Sequence, residues 1–165
     1  MLDVYERLME VEPATPPLLV LGWAGKPPEE LKARPHLYRH VHVLPRVPDR
    51  LLSGLYTGAV ATILTSRHEG FGFPVVEAMA CGTPVVTSRV SSMPEAAGGE
   101  ELGAALLVDP HDTGALTDAL HRALADRALR EQMRVLGFQQ AADFTWGKTA
   151  AATVAAYQQV LGQSR

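Results

Sequence analysis

Disulfides, membrane spans and a one-signed charge field are what this sequence most plainly does without. Its single cysteine, Cys81, leaves no internal disulfide and fits a reducing, cytoplasmic compartment. No apolar run approaches the roughly 20 residues of a membrane span, and the first residues do not read as a signal peptide. The net charge of −3 offers no basic field to attract nucleic acid or an anionic membrane. There is no internal repeat and no low-complexity tract. What remains is ordinary: 165 residues, 47% apolar and 20% charged, with room for one domain that buries roughly 70% of its unfolded surface.

The informative stretch is Ser66–Val86, SRHEGFGFPVVEAMACGTPVV. An apolar run, Val60-Ala61-Thr62-Ile63-Leu64, stops at small polar residues; a glycine-rich turn follows, and Pro74 opens a stretch of helical character. Gly70 and Gly72 flank Phe71, so the turn can adopt backbone angles closed to other residues and admit a ligand close to the main chain. The first helical amides, Val75 and Val76 among them, are expected to point outward at the positive end of the helix dipole, where phosphate oxygens bind. Glu69 and Glu77 bring two carboxylates to the rim of the same cleft. Carboxylates repel phosphate and accept hydrogen bonds from hydroxyls, each worth about 1.5–3 kcal/mol. A phosphate-binding helix end beside two such carboxylates describes a nucleotide-sugar site, although strand-glycine-helix turns also occur in flavodoxin-like and dehydrogenase folds.

The string Glu69 to Val86, with Pro94-Glu95 and a late Phe144-Thr145-Trp146, resembles the E-x7-E signature of the retaining glycosyltransferases of GT-B fold, which include glycogen, sucrose and phosphatidylinositol-mannoside synthesising enzymes. The resemblance implies a doubly wound α/β domain with a parallel sheet, the C-terminal donor-binding half of such an enzyme. It also implies transfer of a sugar from a nucleoside diphosphate with retained anomeric configuration, without a cofactor or essential metal. It makes Glu69 the catalytic candidate. Gly70, Phe71, Gly72, Phe73, Val75, Val76 and Glu77 become donor-binding candidates, with Glu77 on the ribose and Glu69 facing the sugar. The loop Leu44–Val47, with Arg46, would lie against the base, the alternative being a plain strand-to-helix turn with a solvated arginine.

Along the rest of the chain, covered strands alternate with amphipathic helices. Leu2, Tyr5, Leu8 and Met9 share a helical face, ended by Pro13–Pro17. Strands are expected near Leu18–Leu21, Val41–Leu44, Ala61–Thr65, Pro84–Thr87 and Ala105–Val108, all parallel in one sheet; the first leads into Gly22-Trp23-Ala24-Gly25. Glu29–Lys32 starts a helix that Pro35 interrupts. His40 and His42 share a strand face without Asp, Glu or Cys nearby, which reads as solvent-facing or capping histidines rather than a metal site. Asp49 caps a helix carrying Leu52 and Tyr56, and Ser92 caps the turn containing Pro94. Asp112 or Thr113 caps a helix with Leu116 and Leu120, and another starts at Arg127. Cys81 reads as a packed, inert thiol. Trp146 and Tyr157 read as core anchors of an alanine-rich final helix, which in the resembled family crosses toward the other domain.

The first element is a helix, whereas a doubly wound domain normally begins with a strand whose loop makes a phosphate site. Measured against the resembled family, the sequence lacks that strand, its loop with an arginine and a lysine, and the N-terminal acceptor domain. Two functions follow as expectations: a glycosyltransferase donor domain that needs a separate acceptor-binding domain or chain, or a truncated module that binds a nucleotide or nucleotide-sugar without transfer.

Overall fold

The structure, a computed structural model, describes residues 1–22 and 28–163. Trp23 to Gly25, in the turn expected after the first strand, lie outside the described residues. Helices and parallel strands alternate from α1 (Leu2–Val11) through β1 (Leu18–Val20), α2 (Glu29–Lys32), a 3-10 turn (Pro35–Arg39), β2 (Val41–Val43), α3 (Asp49–Gly58) and β3 (Thr62–Leu64). The chain continues with α4 (Phe73–Ala80), β4 (Val85–Ser88), α5 (Met93–Ala97), α6 (Gly99–Leu102), β5 (Ala105–Val108), α7 (Thr113–Ala125), α8 (Arg127–Ala141) and α9 (Trp146–Gln163). This is the α/β class the sequence implies. Pro35 ends α2 and tightens the next turn, as expected, because it can neither donate to a helix nor let its predecessor stay helical.

The single sheet is not formed. β1 pairs with β2, and β3-β4-β5 make a second, three-stranded sheet, both parallel. Between β1 and β3 lies a cleft, so no described strand satisfies the two edges that face each other. The strands differ in cover accordingly. All four residues of β4 are buried, whereas β3 is half-buried throughout and Leu19 of β1 is 45% exposed. The expectation that the first strand is covered on both faces therefore fails on the face that carries Leu19 and Leu21.

The core sits on the two faces of the three-stranded sheet. Val85 points into one cluster with Val75, Ala78, Met79 and Met93; Val86 points the other way, toward Val4, Leu8, Leu116 and Leu120. The period of two in a strand puts these neighbours on opposite sides. Through Leu2 and Tyr5, α1 also packs on Leu31, Leu37 and Val41, so this one helix joins both sheets. Val4, left out of the face expected for α1, is among its most buried residues because α1 is gripped on two sides.

Helix starts shift by a residue or change partner. Pro48, not Asp49, occupies the cap position of α3. Asp112 caps α7 through the Ala115 amide at 2.9 Å, and Asp126 caps α8 through the Leu129 amide at 2.9 Å. Trp146 and Tyr157 are not core anchors: they are 84% and 67% exposed, because α9 stands off the domain with Val154 and Leu161 uncovered beside them. Its alanine-rich composition favours helix without tertiary support. Among the described residues no helix is long and apolar enough to cross a membrane.

Candidate functional site

The β3–α4 connection and the β4–α5 turn lie at the C-terminal ends of neighbouring parallel strands, where doubly wound folds place their ligands. Gly72 caps α4 in the left-handed region at φ 97°. The backbone angle favours glycine, and a Cβ there would sit 2.5 Å from Met93 Cε, so the end of that side chain would have to move. Gly70 differs from expectation. Its φ is not positive, and nothing lies within 4 Å of where a Cβ would project. Its lack of a side chain leaves open space above the turn instead of relieving strain.

Because α4 begins at Phe73, the Val75 amide already donates to the Gly72 carbonyl at 2.9 Å. The Val75 amide is therefore not the outward-pointing donor expected from the sequence. Gly72 and Phe73 carry the amides that the helix's own ladder does not use, Pro74 having none.

Glu69 is held as part of a small network. Ser66 Oγ donates to its carboxylate at 2.9 Å. Ser91 Oγ accepts from the Glu69 amide at 3.2 Å and donates to the Glu69 carbonyl at 2.8 Å, and Ser92 Oγ donates to that same carbonyl at 2.9 Å. The Ser92 hydroxyl thus serves Glu69 and does not cap α5. Ser91 adopts φ 60°, a conformation that costs a non-glycine residue free energy and that the two bonds to Glu69 offset. The Phe71 ring lies 4.7 Å from that of Phe73 at a tilt of 50° and meets Phe144 edge-on at 5.3 Å, tying the turn to the segment before α9.

Glu77 has a different setting. It faces solvent on α4, and Tyr56 of α3 donates its hydroxyl to Glu77 Oε2 at 3.1 Å. Burial, then the Glu77 charge and the hydrogen bond to it, push the Tyr56 hydroxyl well above its usual range. Tyr56 thereby fixes where one carboxylate oxygen points and leaves the other to a ligand. A tyrosine within an apolar helical stripe shows that its hydroxyl needs an acceptor, without showing that the acceptor is Glu77.

Arg46, Val47, Pro74 and Glu77 are among the residues that line the cleft between the sheets, a space of about 950 Å³. Leu44 stands at the end of β2 with its amide committed to the Val20 carbonyl at 2.8 Å. Glu69 and Gly70–Phe73 do not line the cleft; they form the neighbouring cluster over the β4–α5 turn. His42 is exposed and His40 half-buried, and no group of three or more metal-ligating side chains is gathered among the described residues. Cys81 is a free, half-buried thiol at the end of α4.

Residues 2–139 match the family described as Glycosyl transferases group 1. The chain belongs to this family. Among its relatives, the O-antigen chain mannosyltransferase B of Escherichia coli is 34% identical over 161 residues, which is 96% of this chain and 41% of that protein. The D-inositol 3-phosphate glycosyltransferase of Corynebacterium diphtheriae is 42% identical over 106 residues, 64% of this chain and 24% of that protein. Sucrose-phosphate synthase from Thermosynechococcus elongatus superposes with a TM-score of 0.80 at 28% identity, covering 98% of this chain and 42% of that one. This group 1 glycosyl transferase chain therefore spans less than half the length of these relatives, and it has the Rossmann-like fold of the C-terminal half of a GT-B protein.

Proposed function

We propose that the chain is the donor-binding half of a glycosyltransferase that moves a hexose from a nucleoside diphosphate to an acceptor held by a further domain, with the anomeric configuration retained and no essential metal ion. The observation that supports this reading is that Glu77, oriented by Tyr56, lines the same cleft as Arg46 and Val47. A carboxylate fixed by a neighbour suits vicinal ribose hydroxyls. The loop ending in Arg46-Val47 suits the base, and Arg46, exposed and without an ion pair among the described residues, can offset diphosphate charge. The Gly72 and Phe73 amides add two donors at the start of α4. Glu69, braced by three serines beside the open space over Gly70, faces the transferred sugar. Mannosyltransferases among the relatives support a hexose donor.

Calorimetric titration with UDP, GDP and ADP, and with their glucose and mannose conjugates, tests the reading. Glu77→Ala weakens a bare nucleoside diphosphate and its sugar conjugate alike, by roughly ten- to a hundredfold. Glu69→Ala spares the diphosphate and weakens only the conjugate. Indistinguishable effects in variants that circular dichroism shows to be folded overturn this division of roles. The chain alone transfers no sugar, because positioning of the acceptor is missing; turnover without a partner overturns that part of the reading.

A further inference from the structure

The main chain of the β3–α4 connection hangs on side-chain hydroxyls. Thr87 Oγ1 donates to the Leu64 carbonyl at 2.7 Å, and Ser88 Oγ donates to the Ser66 carbonyl at 2.8 Å. Ser91 and Ser92 then reach the Glu69 carbonyl at 2.8 and 2.9 Å, and Ser91 Oγ also accepts from the Glu69 amide at 3.2 Å. Hydroxyls from one segment, residues 87–92, thus hold the backbone of its neighbour at residues 64, 66 and 69. Burial shows which side is the frame. Thr87, Ser88 and Met93 are fully buried, and Gln140 of α8 donates to the Glu95 and Ala96 carbonyls at 3.1 and 3.2 Å, anchoring the far end of α5. Arg67, His68 and Gly70 are exposed. The buried segment therefore positions the exposed turn, and not the reverse.

Ser91 stands apart from the other hydroxyls. It is exposed, and among the described residues it is the one non-glycine residue with positive φ. A hydroxyl open to water exchanges its hydrogen bonds for others at little net gain, and a side chain at φ 60° is strained. Stability alone would place glycine here. What serine adds is one oxygen that engages both the N–H and the C=O of Glu69, fixing the peptide planes on either side of its Cα and with them the direction of its Cα–Cβ bond. We propose that Ser91 is a positioning residue: its strained backbone holds the hydroxyl on Glu69, and that grip aims the Glu69 carboxylate at the transferred sugar. The use of the grip rests on the role proposed above for Glu69; the grip itself does not.

Two substitutions in the 165-residue chain separate position from stability. Ser91→Gly removes the hydroxyl and the strain together, whereas Ser91→Thr keeps the hydroxyl and puts a β-branch at a positive φ. Each is read by 15N relaxation of the ligand-free chain, by its urea midpoint, and by calorimetry with UDP, GDP, UDP-glucose and GDP-mannose. In Ser91→Gly the order parameter of the Glu69 amide falls from about 0.85 to about 0.6 or below. Its urea midpoint stays or rises, and the sugar conjugate weakens by about tenfold while the bare diphosphate stays within about twofold. Ser91→Thr lowers the midpoint and keeps both the order parameter and the affinity for the conjugate. A merely structural residue gives the opposite split, losing stability with glycine and moving both ligands together. In a Glu69→Ala background, Ser91→Gly changes the affinity for the conjugate no further. An unchanged Glu69 order parameter in Ser91→Gly overturns the proposal whether or not a conjugate binds. A loss of affinity that persists in the Glu69→Ala background also overturns it, by placing the Ser91 hydroxyl on the sugar itself. So does a conjugate weakened by Glu69→Ala and untouched by Ser91→Gly. If Glu69→Ala leaves the conjugate at the parent affinity while the order parameter responds to Ser91→Gly, the sugar role of Glu69 fails and the grip stands.

Discussion

The two sheets of this chain are built from similar apolar runs, yet only one of them is finished. The β3-β4-β5 sheet has a fully buried central strand with a cluster on each face; the β1-β2 sheet has one cluster, on the side of α1, and leaves Leu19 bare on the other. Apolar composition did not decide the difference, since Leu18-Leu19-Val20-Leu21 is as apolar as Val85-Val86. Neighbours did. A strand is buried when both its edges and both its faces are occupied, and β4 is the one strand among the described residues that meets this condition.

Core truncation breaks the comparison most sharply. Met79→Ala, beneath α8 in the finished half, is expected to cost about 3–5 kcal/mol and to unfold the domain in one transition. Leu37→Ala, equally buried but in the cluster of the smaller sheet, is expected to cost nearer 2 kcal/mol, because its neighbours Tyr5 and Leu18 line the cleft between the sheets and can relax. Urea denaturation followed by circular dichroism measures both. Equal costs would show that the two halves are energetically one.

The next effect concerns glycine. Gly72→Ala forces a side chain onto Met93 at a positive φ and is expected to cost about 2 kcal/mol or more, read from the same urea midpoints. Gly70→Ala, with open space around it, is expected to leave stability within about 0.5 kcal/mol while weakening the nucleotide-sugar more than the free diphosphate.

A smaller effect appears only at alkaline pH. The Tyr56 hydroxyl titrates at a higher pH folded than unfolded, where its ordinary value is 10.0. Its contribution is therefore complete below about pH 10 and is lost as pH rises from there toward the folded value, because the unfolded chain releases the proton first. Tyr56→Phe should flatten the fall of stability between about pH 9.5 and 11 relative to the parent. The raised Tyr5 hydroxyl remains in both chains, so the difference isolates Tyr56.

The sequence made the strands legible because each is a short apolar run bounded by turn residues, and α1 and α7 legible through their spacing. The division into two sheets was not legible, since a strand carries the same pattern whether or not its neighbour is present. The site was half legible. Glu69, Gly72 and Glu77 stand out as residue types in a strand-turn-helix unit. Tyr56, Ser91 and Ser92 act through contacts spanning 21 to 23 positions that no local pattern announces. Val75 was misread because the helix begins at Phe73, a shift of a residue that redirects which amides are free. Trp146 and Tyr157 misled for the opposite reason: an amphipathic helix shows that a face wants cover, and says nothing of whether the cover is in the same chain.

That bare helix has a spectroscopic use. The chain has two tryptophans, and replacing Trp23 by phenylalanine leaves Trp146, 84% exposed at the start of α9, as a lone indole in water. Its emission should lie at the long-wavelength limit and be fully open to quenching by iodide. Any polypeptide or lipid that settles on the Val154-Tyr157-Leu161 face would move the emission to shorter wavelength if it also reached Trp146, giving an optical titration of contacts to α9 without a label.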